Sequence, residues 1–200
     1  VNPDNGNPQW YGIDDNGNKY ITDDYSSLTA QDKVKAGSSL PDVTGGFQST
    51  LTYRSWSLST FFSYAIGGKI YNSDLVSLLS QGPSGTAWSA EMLNRWTEDN
   101  RYTDVPRLTT SPASSWTNTS TRFLNNRSYL KLKNVSLSYA LPAQWVRTIG
   151  LQEALLNVTA ENLFTLTKQQ GLDPEQTVDG TTYFRYPAMK SITLGINIKL

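Results

Sequence analysis

Apolar and polar residues alternate without a break over the last stretch of the chain. Ile192, Leu194, Ile196, Ile198 and Leu200 interleave with Ser191, Thr193, Gly195, Asn197 and Lys199. Side chains change face at every residue of a strand, so Lys190 to Leu200 predicts one apolar face and one polar face. A tilted strand needs about 9–11 residues to cross a bilayer, whereas strands of soluble proteins cluster near 5–6. A half-buried strand of a soluble sandwich and a strand of an outer-membrane barrel share this pattern, and the rest of the chain has to separate them.

The same period recurs upstream. Phe47, Leu51 and Tyr53 alternate with Gln48, Thr50, Thr52 and Arg54. Trp56, Leu58, Phe62, Tyr64 and Ile66 then alternate with Ser57, Ser59, Ser63 and Ala65, which predicts two long strands and a tight turn near Arg54-Ser55. Ser128–Leu141 predicts a third. There Val135, Leu137 and Tyr139 share one face while Leu130 and Leu132 have the opposite parity, so a bulge near Lys133-Asn134 is needed to keep all five together. Without it Leu130 and Leu132 face inward. After Pro142 and a short link, Leu156, Val158 and Ala160 open a fourth strand that runs through Asn162-Leu163-Phe164.

Between the strands the pattern lapses. Residues 1–43 read as a loop carrying a small hairpin, Trp10–Ile13 and Lys19–Thr22, around an Asn-Gly turn. Residues 69–127 are a long connection with one short helix expected at Trp88–Trp96. An insertion of that length needs a fold of its own in a compact soluble domain, and outer-membrane barrels carry such loops on their outer side. Residues 167–187 form a further loop. Short links (44–68 as one hairpin, 128–166 as two strands and a turn) therefore share one end of the sheet. In a barrel that end is periplasmic, so the three long segments are extracellular and the last strand, 188–200, ends on the periplasmic side.

Composition narrows the chemistry. There is no Cys and no His among 200 residues, which removes thiolate nucleophiles, imidazole bases and most zinc sites, and no enzyme is expected. Glu161, Asp173 and Glu175 are the one carboxylate grouping that a glycosidase-type reading can draw on. Seventeen basic and seventeen acidic residues cancel, so no field recruits nucleic acid. No run of about 18 apolar residues exists, so a membrane crossing is made by strands or not at all. Asp14, Asn16 and Asn18 keep the alternation of a calcium loop, but Lys19 stands where the glycine belongs and no Glu closes it. The hairpin turn is the expected reading of these three residues, with calcium the alternative and no other cofactor implied.

At Ser128-Tyr129-Leu130-Lys131-Leu132-Lys133-Asn134-Val135-Ser136-Leu137-Ser138-Tyr139-Ala140-Leu141-Pro142 the chain resembles the C-terminal part of SusC/RagA-type TonB-dependent outer-membrane transporters of the Bacteroidetes. Leu40–Phe47, Tyr64–Asn72, Arg95-Trp96-Thr97, Pro106-Arg107-Leu108, Glu161–Thr165 and Gly171–Glu175 match in order. The resemblance implies an all-β fold, the last five or so antiparallel strands of a transmembrane barrel of about 22 strands, with long extracellular loops and one short loop helix. Five strands leave two unpaired edges, so the chain is expected to be a piece of a longer protein.

The function implied is that of a barrel-wall segment in a TonB-driven importer of oligosaccharides or peptides in the outer membrane of a Gram-negative bacterium. The implied partners are the rest of the barrel and its plug, membrane lipid, a SusD-like surface lipoprotein, TonB through a part not present in this sequence, and the cargo itself. Trp88, Trp96, Tyr102, Trp116 and Tyr183 on the long loops are the candidate cargo contacts, since aromatic faces stack on sugars and peptide side chains alike. For Trp88 and Trp96, packing of a short loop helix is the favoured account over cargo contact. A soluble β-sandwich that binds glycans is the alternative.

Overall fold

Pairing of the long alternating stretches builds a single antiparallel sheet. In the computed structural model, which describes residues 1–80, 87–108, 117–169, 173–175 and 180–200, the chain divides into two units. Unit 2, Ser38–Ile70 with Asn125–Leu200, holds a five-stranded sheet in the order β3 (Val43–Tyr53), β4 (Trp56–Ile66), β7 (Tyr129–Ala140), β8 (Glu153–Thr167), β9 (Ser191–Lys199). Every neighbouring pair is antiparallel. β3 and β4 meet in a two-residue turn, with Tyr53 opposite Trp56 and Arg54 in the left-handed region at φ 53°.

Register places the apolar set of each strand against that of the next. Leu51 lies opposite Leu58, Leu58 opposite Leu137, Leu137 opposite Val158 and Val158 opposite Leu194. The expected bulge in β7 is present. From Leu132 to Val135 β7 advances three residues while β4 advances two, from Phe62 to Thr60. The odd step returns Leu130 and Leu132 to the face of Val135, Leu137 and Tyr139, and they do not turn inward. Over the same stretch β8 advances four residues, from Phe164 to Ala160. Asn162 takes a left-handed φ of 53° within that extra length.

The link from β7 to β8 contains a helix that was expected to be plain turn. α2 (Ala143–Thr148) starts after Pro142, whose ring cannot extend the strand ladder, and ends before Gly150 at φ 82°. Val146 is its buried anchor. Both short connections lie at one end of the sheet, where the Ala140 N–H donates to the Ser55 carbonyl at 2.8 Å and the Gln152 N–H to the Lys199 carbonyl at 2.8 Å.

Unit 1, Val1–Gly37 with Tyr71–Leu124, is organised differently. Its hairpin, β1 (Trp10–Ile13) with β2 (Lys19–Thr22), forms where the sequence predicts it. The long insertion then supplies its own core. Leu79, Met92, Val105 and Phe123 are buried together, with Trp10, Tyr71, Leu75 and Val76 packed around them. Leu75, Val76 and Leu79 come from α1 (Ser73–Leu79), a helix absent from the sequence reading. It is capped by the Asn72 side chain, which accepts from the Leu75 N–H at 2.9 Å. The helix expected at Trp88–Trp96 is a shorter 3-10 turn, Ala90–Asn94, capped by Ser89. A short ladder of β5 (Lys69–Tyr71) with β6 (Leu124–Asn126) carries the chain out of the large sheet and back.

Candidate functional site

The face of the large sheet that a soluble protein buries is largely exposed. Ile192 and Leu194 of β9 are 72% and 77% exposed, and Leu51, Tyr53, Trp56, Val158 and Leu166 on the same side are exposed as well. Aromatic pairs cover parts of it. Phe47 stacks on Phe62 with ring centroids 4.7 Å apart, Trp56 tilts against Tyr139 at 4.5 Å, and Leu132 is buried between Phe62 and Phe164. The Tyr64 ring lies over Gly45, where a Cβ would come within 2.7 Å of the phenol oxygen. A glycine is needed there for the ring to lie flat on the sheet.

The opposite face is polar and hydrogen-bonded across the strands. Gln48 donates to Ser59 at 3.3 Å, and Ser136 and Thr159 hydroxyls are 3.2 Å apart. Ser191 donates to Glu161 at 3.2 Å. This face carries the most buried charge in the unit. The Lys131 side chain, 2% exposed, donates to Asp173 at 2.7 Å and to Glu175 at 3.3 Å, and Lys133 pairs with Glu175 at 2.5 Å. Asp173 also accepts from the Glu175 N–H at 3.1 Å and the Ala188 N–H at 3.4 Å. Burial alone would push the Asp173 carboxyl up; the Lys131 ammonium and the two N–H donors outweigh it and hold the group below its usual range. Sequence reading named Asp173 and Glu175 only as a weak carboxylate grouping with Glu161, and missed Lys131 and Lys133. The available signal was two lysines on the polar parity of a strand whose other side is apolar.

In unit 1 Trp10, Tyr25, Tyr71, Asp32, Lys33 and Arg122 line part of a cavity of about 1170 Å³. Its charges are largely committed. Asp32 accepts from the Thr29 and Ile13 N–H groups, at 2.6 and 2.7 Å, which hold its carboxyl below the ordinary range, and Arg122 reaches Asp104 at 3.7 Å. Burial pushes the Tyr71 phenol up.

The candidate aromatics are not brought into one place. Trp96 donates from its indole N–H to the Pro3 carbonyl at 3.1 Å, and its ring occupies the space a Cβ on Gly6 would take, so it packs an N-terminal turn. Trp88 and Tyr102 are exposed in the same unit, Tyr102 almost completely. Tyr183 is an exposed residue of unit 2 with the Arg185 guanidinium 5.7 Å from its ring centre. Trp116 lies outside the described residues. Asp14, Asn16 and Asn18 do share one turn: the Asp14 carboxylate accepts from the Asn18 N–H at 2.7 Å, the Asn16 N–H at 2.9 Å and the Asn18 amide at 3.2 Å. The Asn18 backbone bond is the main reason the Asp14 carboxyl sits below its usual range. Among the described residues no cluster of three acidic, His or Cys side chains could hold a metal ion, and no helix is long and apolar enough to cross a membrane.

No family profile matches the chain. Curated proteins of Formosa agariphila do. TonB-dependent receptor P3 is 34% identical over 188 residues, covering 88% of this chain and 18% of the receptor. TonB-dependent receptor P26 is 29% identical over 200 residues, covering 92% and 19%. Among solved structures, the RagAB peptide transporter superposes with a TM-score of 0.80 at 33% identity, over 99% of this chain and 22% of the matched one. The RagAB peptide importer in its open-open state gives 0.79 at 30% identity, over 100% and 21%. The chain thus spans about a fifth of the length of the proteins it matches.

Proposed function

Because the chain belongs with the TonB-dependent receptors of the SusC/RagA type, about a fifth of whose length it matches, we propose that its five strands are wall in an outer-membrane importer. The observation that carries this is the apolar face continuous across β3, β4, β7, β8 and β9, most of whose large side chains are exposed, Leu51, Tyr53, Leu166, Ile192 and Leu194 above all. A water-soluble monomer rarely exposes an apolar patch beyond a few hundred Å², whereas lipid is its natural neighbour. The bulge in β7 works to the same end, since it keeps Leu130 and Leu132 on the face of Val135, Leu137 and Tyr139. The polar face with Gln48, Ser59, Ser136 and Thr159 then borders the lumen. The short-turn end, with Lys199, is periplasmic, and residues 1–43, 69–127 and 167–187 are extracellular. The glycan-binding sandwich would require a second layer on the apolar face.

In this reading the whole receptor moves peptides or oligosaccharides with energy delivered through TonB, and a SusD-like lipoprotein covers the outer opening. The likeness to a peptide transporter favours peptides. Trp88, Tyr102, Trp116 and Tyr183 are proposed contacts for cargo or lid, and Trp96 is better read as a packing residue. Calcium at Asp14, Asn16 and Asn18 would have to displace the N–H donors that now hold Asp14.

Nitroxide labels placed one at a time over 191–199 in the full-length receptor, reconstituted in lipid, test the wall. Oxygen should reach labels at 192, 194, 196 and 198, and a polar nickel reagent those at 193, 195 and 197. Equal access at all positions, or the opposite phase, would sink the proposal.

A further inference from the structure

The buried charge on the polar face has a use beyond lining a wall. Lys131 joins two pieces of chain far from it in sequence. Its ammonium holds Asp173, 42 positions away, and Asp173 in turn accepts from the Ala188 N–H. Pro174 between the two carboxylates is fully buried, and Lys131 is 2% exposed, so this contact is desolvated. The next residue, Met189, is tied independently: its carbonyl accepts from the Asn162 side chain at 3.0 Å, at the point where β8 carries its extra length. Upstream of these two anchors Tyr183, Phe184 and Tyr186 are all exposed, with Phe184 at a left-handed φ of 43°. An exposed aromatic run in a strained backbone keeps one position only if its ends are fixed.

We infer that Lys131 is a positioning residue, setting through Asp173 and Ala188 where the aromatic segment Tyr183–Tyr186 is presented. The outer pair, Lys133 with Glu175, contributes little, because both side chains retain solvent at 28% and 36% exposure and a screened pair is weak. The inner pair is different. Removing the lysine leaves the Asp173 carboxylate, 13% exposed, without its cation beside a buried proline, and an uncompensated charge of that kind expels the segment that bears it. The inference rests on the proposed function only in making Tyr183 a cargo contact; the positioning itself is a property of this unit.

Arg185 provides the readout, since trypsin cleaves after it only when the flanking backbone can leave its anchors. In the full-length receptor in detergent, cleavage between Arg185 and Tyr186 is followed by mass spectrometry. Lys131→Met should speed it about tenfold or more, while Lys133→Met should change it less than about twofold. The exchange Lys131→Asp with Asp173→Lys should restore a rate near that of the parent. An unchanged rate in Lys131→Met, or an exchange no better than the single change, overturns the inference. Should Lys131→Met fail to give a folded barrel on an unheated gel, Asp173→Asn carries the same test. Binding of a short-peptide mixture to Tyr183→Ala separates the two readings. Faster cleavage in Lys131→Met with unaltered peptide binding in Tyr183→Ala keeps the positioning role and removes only Tyr183 as a cargo contact.

Discussion

Unit 1 gathers apolar side chains into a core, whereas unit 2 displays most of its own on one face of a sheet. In unit 1, Phe123, Leu79, Met92 and Val105 close on one another, and short helices and turns are arranged around that cluster. In unit 2 most of the large aliphatic residues lie on an exposed face of a sheet, and the most deeply buried charged side chain among its described residues is a lysine. The first unit is held by withdrawal of surface from water, the second by a ladder of backbone hydrogen bonds that runs across all five strands. Unit 2 is the richer of the two in apolar residues, yet it is the one that lays them out on an exposed face, so the difference lies in the pattern.

The largest effect that would break this comparison is a cavity in unit 1. Phe123→Ala should cost unit 1 about 3–5 kcal/mol while leaving the sheet intact. Urea titration in detergent, read at the Trp10 end of the chain and by heat-modified gel mobility, checks whether the two losses separate. Next comes a charge on the proposed lipid face. Leu194→Arg near the middle of β9 should cost about 2–4 kcal/mol in refolding into vesicles, and its neighbour Thr193→Arg much less. The reverse order would describe a soluble sheet.

Acid gives a smaller and graded effect. The clasp of Asp173 is fully formed at pH values above the ordinary carboxylate range, because its folded-state carboxyl lies below that range. It should be lost as pH falls through this lowered value. The charged groups that face Asp173 in the clasp are Lys131 and Lys133 from β7 and Glu175 beside it. A spin label at position 186 should therefore remain ordered through about pH 4 and become mobile below it. Mobilisation centred above the ordinary range would contradict the assignment.

The strands were legible because a period of two is written directly in the sequence, and so was the need for a bulge in β7, since an odd step breaks parity at Leu132 and Val135. The extra length in β8 was not. It advances by an even number between Phe164 and Ala160, so the alternation continues as though nothing had been added, and only the backbone of Asn162 betrays it. α1 escaped notice because seven residues carry too little of a helical period to stand out, and its stability comes from the core it packs on. Lys131 escaped for a different reason. Its partners are distant in sequence, and a polar residue on a polar face gives no sign of being buried by a later segment. The hairpin at Trp10–Thr22 was readable because its signals are local.

The silence of the β8 insertion has a consequence for how such a wall can change over generations. A strand that gains or loses two residues keeps each side chain on its original side, so lipid contacts survive and only the stagger with its neighbours shifts. A change of one residue transposes everything beyond it, and is tolerable only beside a bulge that absorbs it, as Lys133 and Asn134 do in β7. Length variation among related walls should therefore accumulate in pairs, with single steps confined to the rows of the sheet around position 133.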